Sequence, residues 1–124
     1  MRRLLAILLC GLLAACSGKQ AEPLPPGTVV LALGDSLTAG YGLAPEQAWP
    51  ARPAEKTGWK IVNGGVSGDK TGDALARLPA LLDEHAPKLV LVTLGGNDML
   101  HKLPETQTRG NRARIHELIR GRNA

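Results

Sequence analysis

The sequence predicts an α/β domain built around a parallel sheet, and three observations carry that expectation. Three short apolar runs, residues 28–33, 60–63 and 88–94, have the length and composition of buried strands. Each run leads into a glycine-bearing loop: Gly34-Asp35-Ser36-Leu37, then Gly64 to Thr71, then Gly95-Gly96-Asn97-Asp98. Helix-sized segments separate the runs. Strands joined in this way form right-handed crossovers in a parallel sheet, which brings all three loops to the C-terminal strand ends, where such sheets bind ligands.

The chain opens on an address rather than on a structural element. Arg2 and Arg3 precede the apolar run Leu4 to Leu13, which is too short to span a bilayer and has the form of a secretory signal, residues 1–15. The run closes in Leu13-Ala14-Ala15-Cys16, which resembles the lipobox of bacterial lipoproteins. By that resemblance Cys16 becomes the lipid-modified first residue of an exported, periplasmic, membrane-anchored protein, and Ser17 after it resembles the outer-membrane sorting pattern. The alternative is an ordinary secretory signal with an incidental cysteine. Cys10 would leave with the signal, so no disulfide is expected. Residues 16–27 are polar and Pro-rich and suit a semi-extended tether, after which residues 28–124 form the domain.

Within the domain, Thr28 to Leu33 reads as the first strand, buried on both faces. Pro45 to Thr57 follows as a helix with Pro45 in its first turn, although Pro50 and Pro53 stand where a regular helix loses hydrogen bonds. Lys60 to Asn63 is a short second strand. Asp73 to His85 carries Leu75, Leu78, Leu81 and Leu82 at helical spacing, with Pro79 placed to bend it. Lys88 to Leu94 is the clearest strand and is expected to be central and parallel. Glu105 to Arg120 forms a last helix with Ile115, Leu118 and Ile119 on one face. The Arg-rich stretch Thr108 to Ala124 lacks the capping pattern of a domain end and has the look of a truncated or frame-shifted reading.

Composition narrows the function classes. The chain has 124 residues, 44% hydrophobic and 21% charged, which fits one small globular domain. It has no Phe, so the core must be aliphatic. The net charge of +4 comes from the ends: residues 16–108 hold eight Lys or Arg against ten Asp or Glu. This interior balance argues against nucleic-acid binding.

Of the loops, Gly34-Asp35-Ser36-Leu37 puts a serine hydroxyl at a strand's C-terminal end, where a nucleophile belongs. Taken alone, it is equally a turn in which Asp and Ser cap a helix. Ester cleavage through an acyl-enzyme also needs donors aimed at an oxyanion, and a glycine N–H with an Asn amide can supply them. Gly68-Asp69-Lys70-Thr71 does not make a phosphate-binding loop, because Asp69 stands where that motif needs glycine.

The three loops together resemble the first three blocks of the SGNH (GDSL-type) serine hydrolases, in order and spacing, from about Val29 to Asn111. The resemblance is nearest to the periplasmic thioesterase/lysophospholipase and arylesterase branch, in which Gly72 to Pro79 also has counterparts. It implies a three-layer flavodoxin-like parallel sheet, ordered 2-1-3-4-5 and incomplete at the C-terminus of this chain. It implies Ser36 as nucleophile, with oxyanion donors from the Ser36 and Gly68 N–H groups and the Asn97 side chain, and Asp35 as a supporting residue of its loop. It implies an acyl ester or thioester substrate, no metal, no cofactor and a monomer. The family's fourth block, Asp-x-x-His, supplies the catalytic base from a separate C-terminal loop. The chain appears truncated before it. Asp98-Met99-Leu100-His101 has that spelling by coincidence, which leaves His101 a remote candidate base, and His85 and His116 read as surface residues of helices. An inactive fragment or a non-catalytic binding lipoprotein is the alternative.

Overall fold

A computed structural model describes residues 21–124. The signal, the lipobox with Cys16 and the first part of the tether lie outside the described residues. The tether's last residues are held by the domain: Gly27 donates its N–H to the Gly58 carbonyl at 2.8 Å and the Trp59 indole donates to the Leu24 carbonyl at 3.1 Å.

Three parallel strands make the sheet: β1 (Val29–Gly34), β2 (Lys60–Gly65) and β3 (Leu89–Thr93), in the order β2-β1-β3. Leu31 lies opposite Val62 on one side and Val90 on the other. The central strand is therefore β1, which is why Val30, Leu31, Ala32 and Leu33 are fully buried. The expectation that the third run is central is corrected: β3 is parallel but lies at an edge of these three strands, and Val92 is 41% exposed.

Side-chain alternation divides the helices between the two faces. Leu31 and Leu33 pack with Ala74, Leu78 and Leu82 of α3 (Thr71–His85) and with Ile115 and Ile119 of α5 (Glu105–Gly121), forming the core. The opposite face carries Asn63 and Gly65 of β2, and there sits α1 (Ser36–Ala39): the Asn63 amide donates to the Thr38 carbonyl at 2.9 Å. The result is three layers, helix on sheet on helix.

The proline-rich segment departs from the single helix expected over 45–57. It forms a 3-10 turn at Pro45–Gln47 and then α2 (Ala51–Thr57), interrupted at Ala48, Trp49 and Pro50. Pro50 sits at the cap and Pro53 in the first turn of α2, positions where a missing N–H costs no helical hydrogen bond. Pro79 lies inside α3, which continues past it to His85. The Arg-rich stretch after Thr108 is part of regular helix α5, which buries Ile115 and Ile119 against α3 and leaves its arginines exposed. Among the described residues no helix is long and apolar enough to cross a membrane.

Candidate active site

The first loop turns sharply out of β1. Asp35 leaves the extended conformation, and its carboxylate accepts the Leu37 N–H at 3.0 Å while its carbonyl accepts those of Thr38 and Ala39. Asp35 is thus the N-cap of α1, and Ser36 is the helix's first residue, half-buried at the strand's end. A first-turn N–H has no partner within its helix, and among the described residues that of Ser36 is taken by no other acceptor. The sequence offered a catalytic and a capping reading of this tetrapeptide. The two are compatible, because the aspartate caps and the serine is left free.

Close packing of α1 on β2 depends on Gly65. A Cβ there would lie 2.2 Å from the Ala39 backbone nitrogen, a contact no side chain can make. Beyond Gly65 the chain exposes Val66, Ser67 and Gly68, and the turn closes with the Asp69 N–H on the Val66 carbonyl at 3.1 Å. Gly68 has φ of +87°, the left-handed region that glycine enters at low cost. Its N–H also meets no acceptor among the described residues. Asp69 turns inward and is only 8% exposed.

The third loop is not irregular, as its glycines suggest, but the short helix α4 (Gly96–Leu100). Asn97 faces the second loop and donates one amide N–H to the Asp69 carbonyl at 2.9 Å, leaving its second N–H available. Asp98, 1% exposed, faces the other way. Its carboxylate accepts the Thr71 N–H at 2.7 Å, the Thr71 hydroxyl at 2.5 Å and the Thr108 hydroxyl at 2.9 Å. Asn111 completes the cluster by donating to the Thr71 hydroxyl oxygen at 3.0 Å. Burial pushes the Asp98 carboxyl upward, but the hydrogen bonds from Thr71 and Thr108 outweigh it, and the group sits below its ordinary value.

Ser36, Gly68 and Asn97 thus stand where three parallel strands end, at one end of the sheet, and the second and third of these segments are tied together through Asp69. This end pairs a serine hydroxyl with uncommitted N–H donors, the parts needed to attack an acyl carbon and hold the resulting oxyanion. Residues 32–124 match the model of the GDSL-like lipase/acylhydrolase family. The chain belongs to this family. An arylesterase of Vibrio mimicus is 40% identical over all of this chain and 61% of its own length. The thioesterase 1/protease 1/lysophospholipase L1 of Escherichia coli K12 is 45% identical over 77% of this chain and 47% of its own. The crystal structure of the SGNH-hydrolase family esterase AlinE4 superimposes with a TM-score of 0.73 at 38% identity, covering 81% of this chain and 57% of that one. The chain spans about half to three-fifths of the length of these relatives.

Against the family's requirement for a base, the three histidines are placed as follows. His101 follows α4, and its Nδ1 lies 2.8 Å from the Asn97 carbonyl, whereas Asp98 is engaged by Thr71 and Thr108. No hydrogen bond joins the two. His85 ends α3 beside Glu84, and His116 is on the exposed side of α5. Among the described residues none of the three bonds to the Ser36 hydroxyl.

Sequence reasoning missed Arg77, whose guanidinium reaches both Asp69 and the Gly34 carbonyl, and it missed Thr71, Thr108 and Asn111 around Asp98. Spacing could not reveal them, since Thr71 and Asp98 are 27 residues apart and Thr71 and Asn111 are 40 apart. The only signal was the resemblance of the stretch Gly72 to Pro79, which contains Arg77.

Proposed function

We propose that this domain is a serine hydrolase that cleaves acyl esters or thioesters. Ser36 attacks the acyl carbon, its Oγ–C bond forming as the hydroxyl proton passes to a base. The Ser36 and Gly68 N–H groups and the free Asn97 N–H stabilise the oxyanion, the alcohol or thiol then leaves, and water hydrolyses the acyl-enzyme. Asp35 supports the nucleophile as the cap of α1. The single observation that carries this reading is the Asn97 to Asp69 hydrogen bond, which joins the proposed oxyanion donors of the second and third loops while leaving one Asn97 N–H unused. The base is the Asp-x-x-His pair that the family supplies from a C-terminal loop, and no cofactor or metal is invoked. Relatives named arylesterase and thioesterase/lysophospholipase support an aryl ester, acyl thioester or lysophospholipid as the substrate class.

The same reading extends to location. A signal over residues 1–15 and a lipidated Cys16 tether the domain, a monomer with no nucleic-acid partner, to the periplasmic side of a membrane, the outer one by the Ser17 pattern. The histidine placement favours a second reading, a non-catalytic acyl-binding lipoprotein. Hydrolysis of p-nitrophenyl butyrate by residues 1–124 joined to a family-type C-terminal segment with its Asp-x-x-His pair, and by the Ser36→Ala variant of that protein, separates the two. A Ser36-dependent rate supports the hydrolase, and identical rates with retained binding of the ester support the binder.

A further inference from the structure

We infer that Arg77 is the positioning residue of the oxyanion hole, a single side chain that sets all three proposed donors. It lies on α3, outside the three loops. Its Nε donates to the Asp69 carboxylate at 2.7 Å and its Nη2 donates to the Gly34 carbonyl at 3.1 Å. The two acceptors belong to different loops. Gly34 stands two residues before Ser36, so the second contact holds the Gly34–Asp35 peptide, which is next to the Asp35–Ser36 peptide that carries the nucleophile's N–H. Asp69 follows Gly68 directly, so the first contact holds the immediate neighbour of the residue carrying the second donor. The Asp69 carbonyl in turn receives the Asn97 amide, which orients the third.

The chemistry of the guanidinium suits this task. It is planar, always charged, and presents N–H groups in a fixed fork, so two acceptors in different directions hold it in one pose. Asp69 is 8% exposed, and a buried carboxylate is retained where it is paired and hydrogen-bonded. A surface ion pair on a helix would face solvent. Arg77 instead faces the end of β1, and Gly34 is itself buried. Oxyanion donors act only when held in place before charge develops, because reorganising them during the reaction forfeits the benefit. The clamp supplies that pre-organisation without touching the substrate.

This inference rests on the serine-hydrolase reading, since the three N–H groups need positioning only if an oxyanion forms between them. The test uses residues 1–124 joined to a family-type C-terminal segment that supplies the Asp-x-x-His base, as the parent (wild type) for every variant, with two readouts. One is the rate at which a fluorophosphonate probe labels Ser36, where the Oγ–P bond forms, fluoride leaves and the hydroxyl proton is lost. The other is amide hydrogen exchange and chemical shift at Ser36, Gly68 and the Asn97 side chain, read by NMR without any probe. Arg77→Met keeps the aliphatic stem and removes the fork. It is expected to slow labelling by about tenfold or more and to speed exchange of the Asn97 proton held by Asp69 by about tenfold. Arg77→Lys keeps the charge on Asp69 but loses the fork, so the Asn97 signals should persist while the Ser36 amide shifts. Leu82→Val destabilises the same helix from the core and should leave all three sites at their wild-type shifts, which separates positioning from general stability.

Unchanged Asn97, Gly68 and Ser36 signals in Arg77→Met, with labelling equal to wild type, would overturn the clamp. Absence of any Ser36 labelling in wild type, with the Asn97 signals still responding to Arg77→Met, would instead sink the hydrolase reading and leave the clamp as a fact of the fold. Should Arg77→Met fail to fold, Arg77→Lys decides through the Ser36 shift.

Discussion

Asp98 caps a helix to which it does not belong. Its Oδ1 accepts the backbone N–H of Thr71, the first residue of α3, at 2.7 Å across 27 positions of sequence. The formal cap, Lys70, makes no side-chain cap of its own, so the third loop satisfies the start of the helix behind the second. One carboxylate therefore couples α3, α4 and, through Thr108, α5.

Asp98→Asn should be destabilising by about 1–3 kcal/mol, because an amide nitrogen replaces one acceptor among donors that have no other partner. Urea titration of the full chain reads this directly.

The same residue sets an acid dependence. Its folded carboxyl binds protons less readily than the ordinary value of 3.8, so the stability it contributes is complete above that value and is lost as pH falls through the lower folded one. Wild type should lose stability faster than Asp98→Asn as pH drops below about 4. Parallel acid limbs for the two proteins would remove Asp98 as the cause.

Gly65→Ala should disturb the nucleophile's helix, since the new Cβ would fall 2.2 Å from the Ala39 nitrogen and the obstacle is backbone. A cost of about 3 kcal/mol is expected from forced displacement of this kind. Gly68→Ala meets open space and is strained only by its positive φ, so it should cost less. Equal melting temperatures for Gly65→Ala and wild type would show that α1 moves freely on the sheet.

Much of this architecture was legible from residue pattern. Thr28 to Leu33 read as a doubly buried strand because Val29 to Leu33 are all apolar, and among the described residues β1 is the strand flanked on both sides. Leu78 and Leu82, at helical spacing, did mark the face of α3 that meets the core. The place of β3 beside β1 follows the order that the family resemblance implied, but its lying at an edge of these three strands was not legible from composition, since an apolar run looks the same at an edge as at a centre. Pro45 to Thr57 failed for a different reason: three prolines permit a helix only at its first turn, and pattern alone does not say which proline takes that place. The site divided along the same line. Ser36, Gly68 and Asn97 stood out by local motif. Arg77, Thr71 and Asn111 act through contacts made by folding, and no local pattern announces those.

Metabolic labelling with a tagged fatty acid should mark the protein, and Cys16→Ser should abolish the mark, because the apolar signal ends in small residues directly before that cysteine. A label that survives the substitution would place the acyl group elsewhere and end the lipoprotein reading.

The last prediction concerns the base. His101 lies beside the Asn97 carbonyl, and Asp98 is fully engaged with Thr71 and Thr108, so the local Asp-x-x-His spelling does not make a carboxylate–imidazole pair. A serine of ordinary acidity is a weak nucleophile without such a partner, and loss of a triad member can reduce kcat by about 10⁶. Turnover of p-nitrophenyl acetate by a polypeptide of residues 1–124 alone should therefore stand near the Ser36→Ala background, and His101→Ala should not lower it further. A chimera that appends the family's C-terminal segment with its Asp-x-x-His block should behave differently, because the Ser36 loop and its two partner loops are already assembled. It should hydrolyse the ester, take up a fluorophosphonate at Ser36, and lose both properties when either Ser36 or the added histidine is replaced by Ala. If that polypeptide alone turns over substrate and His101→Ala abolishes it, the base is His101, and α4 must rearrange to release its ring from the Asn97 carbonyl. If the chimera folds cooperatively yet labels at some other residue, Ser36 is not the nucleophile, and the first loop serves only to cap α1.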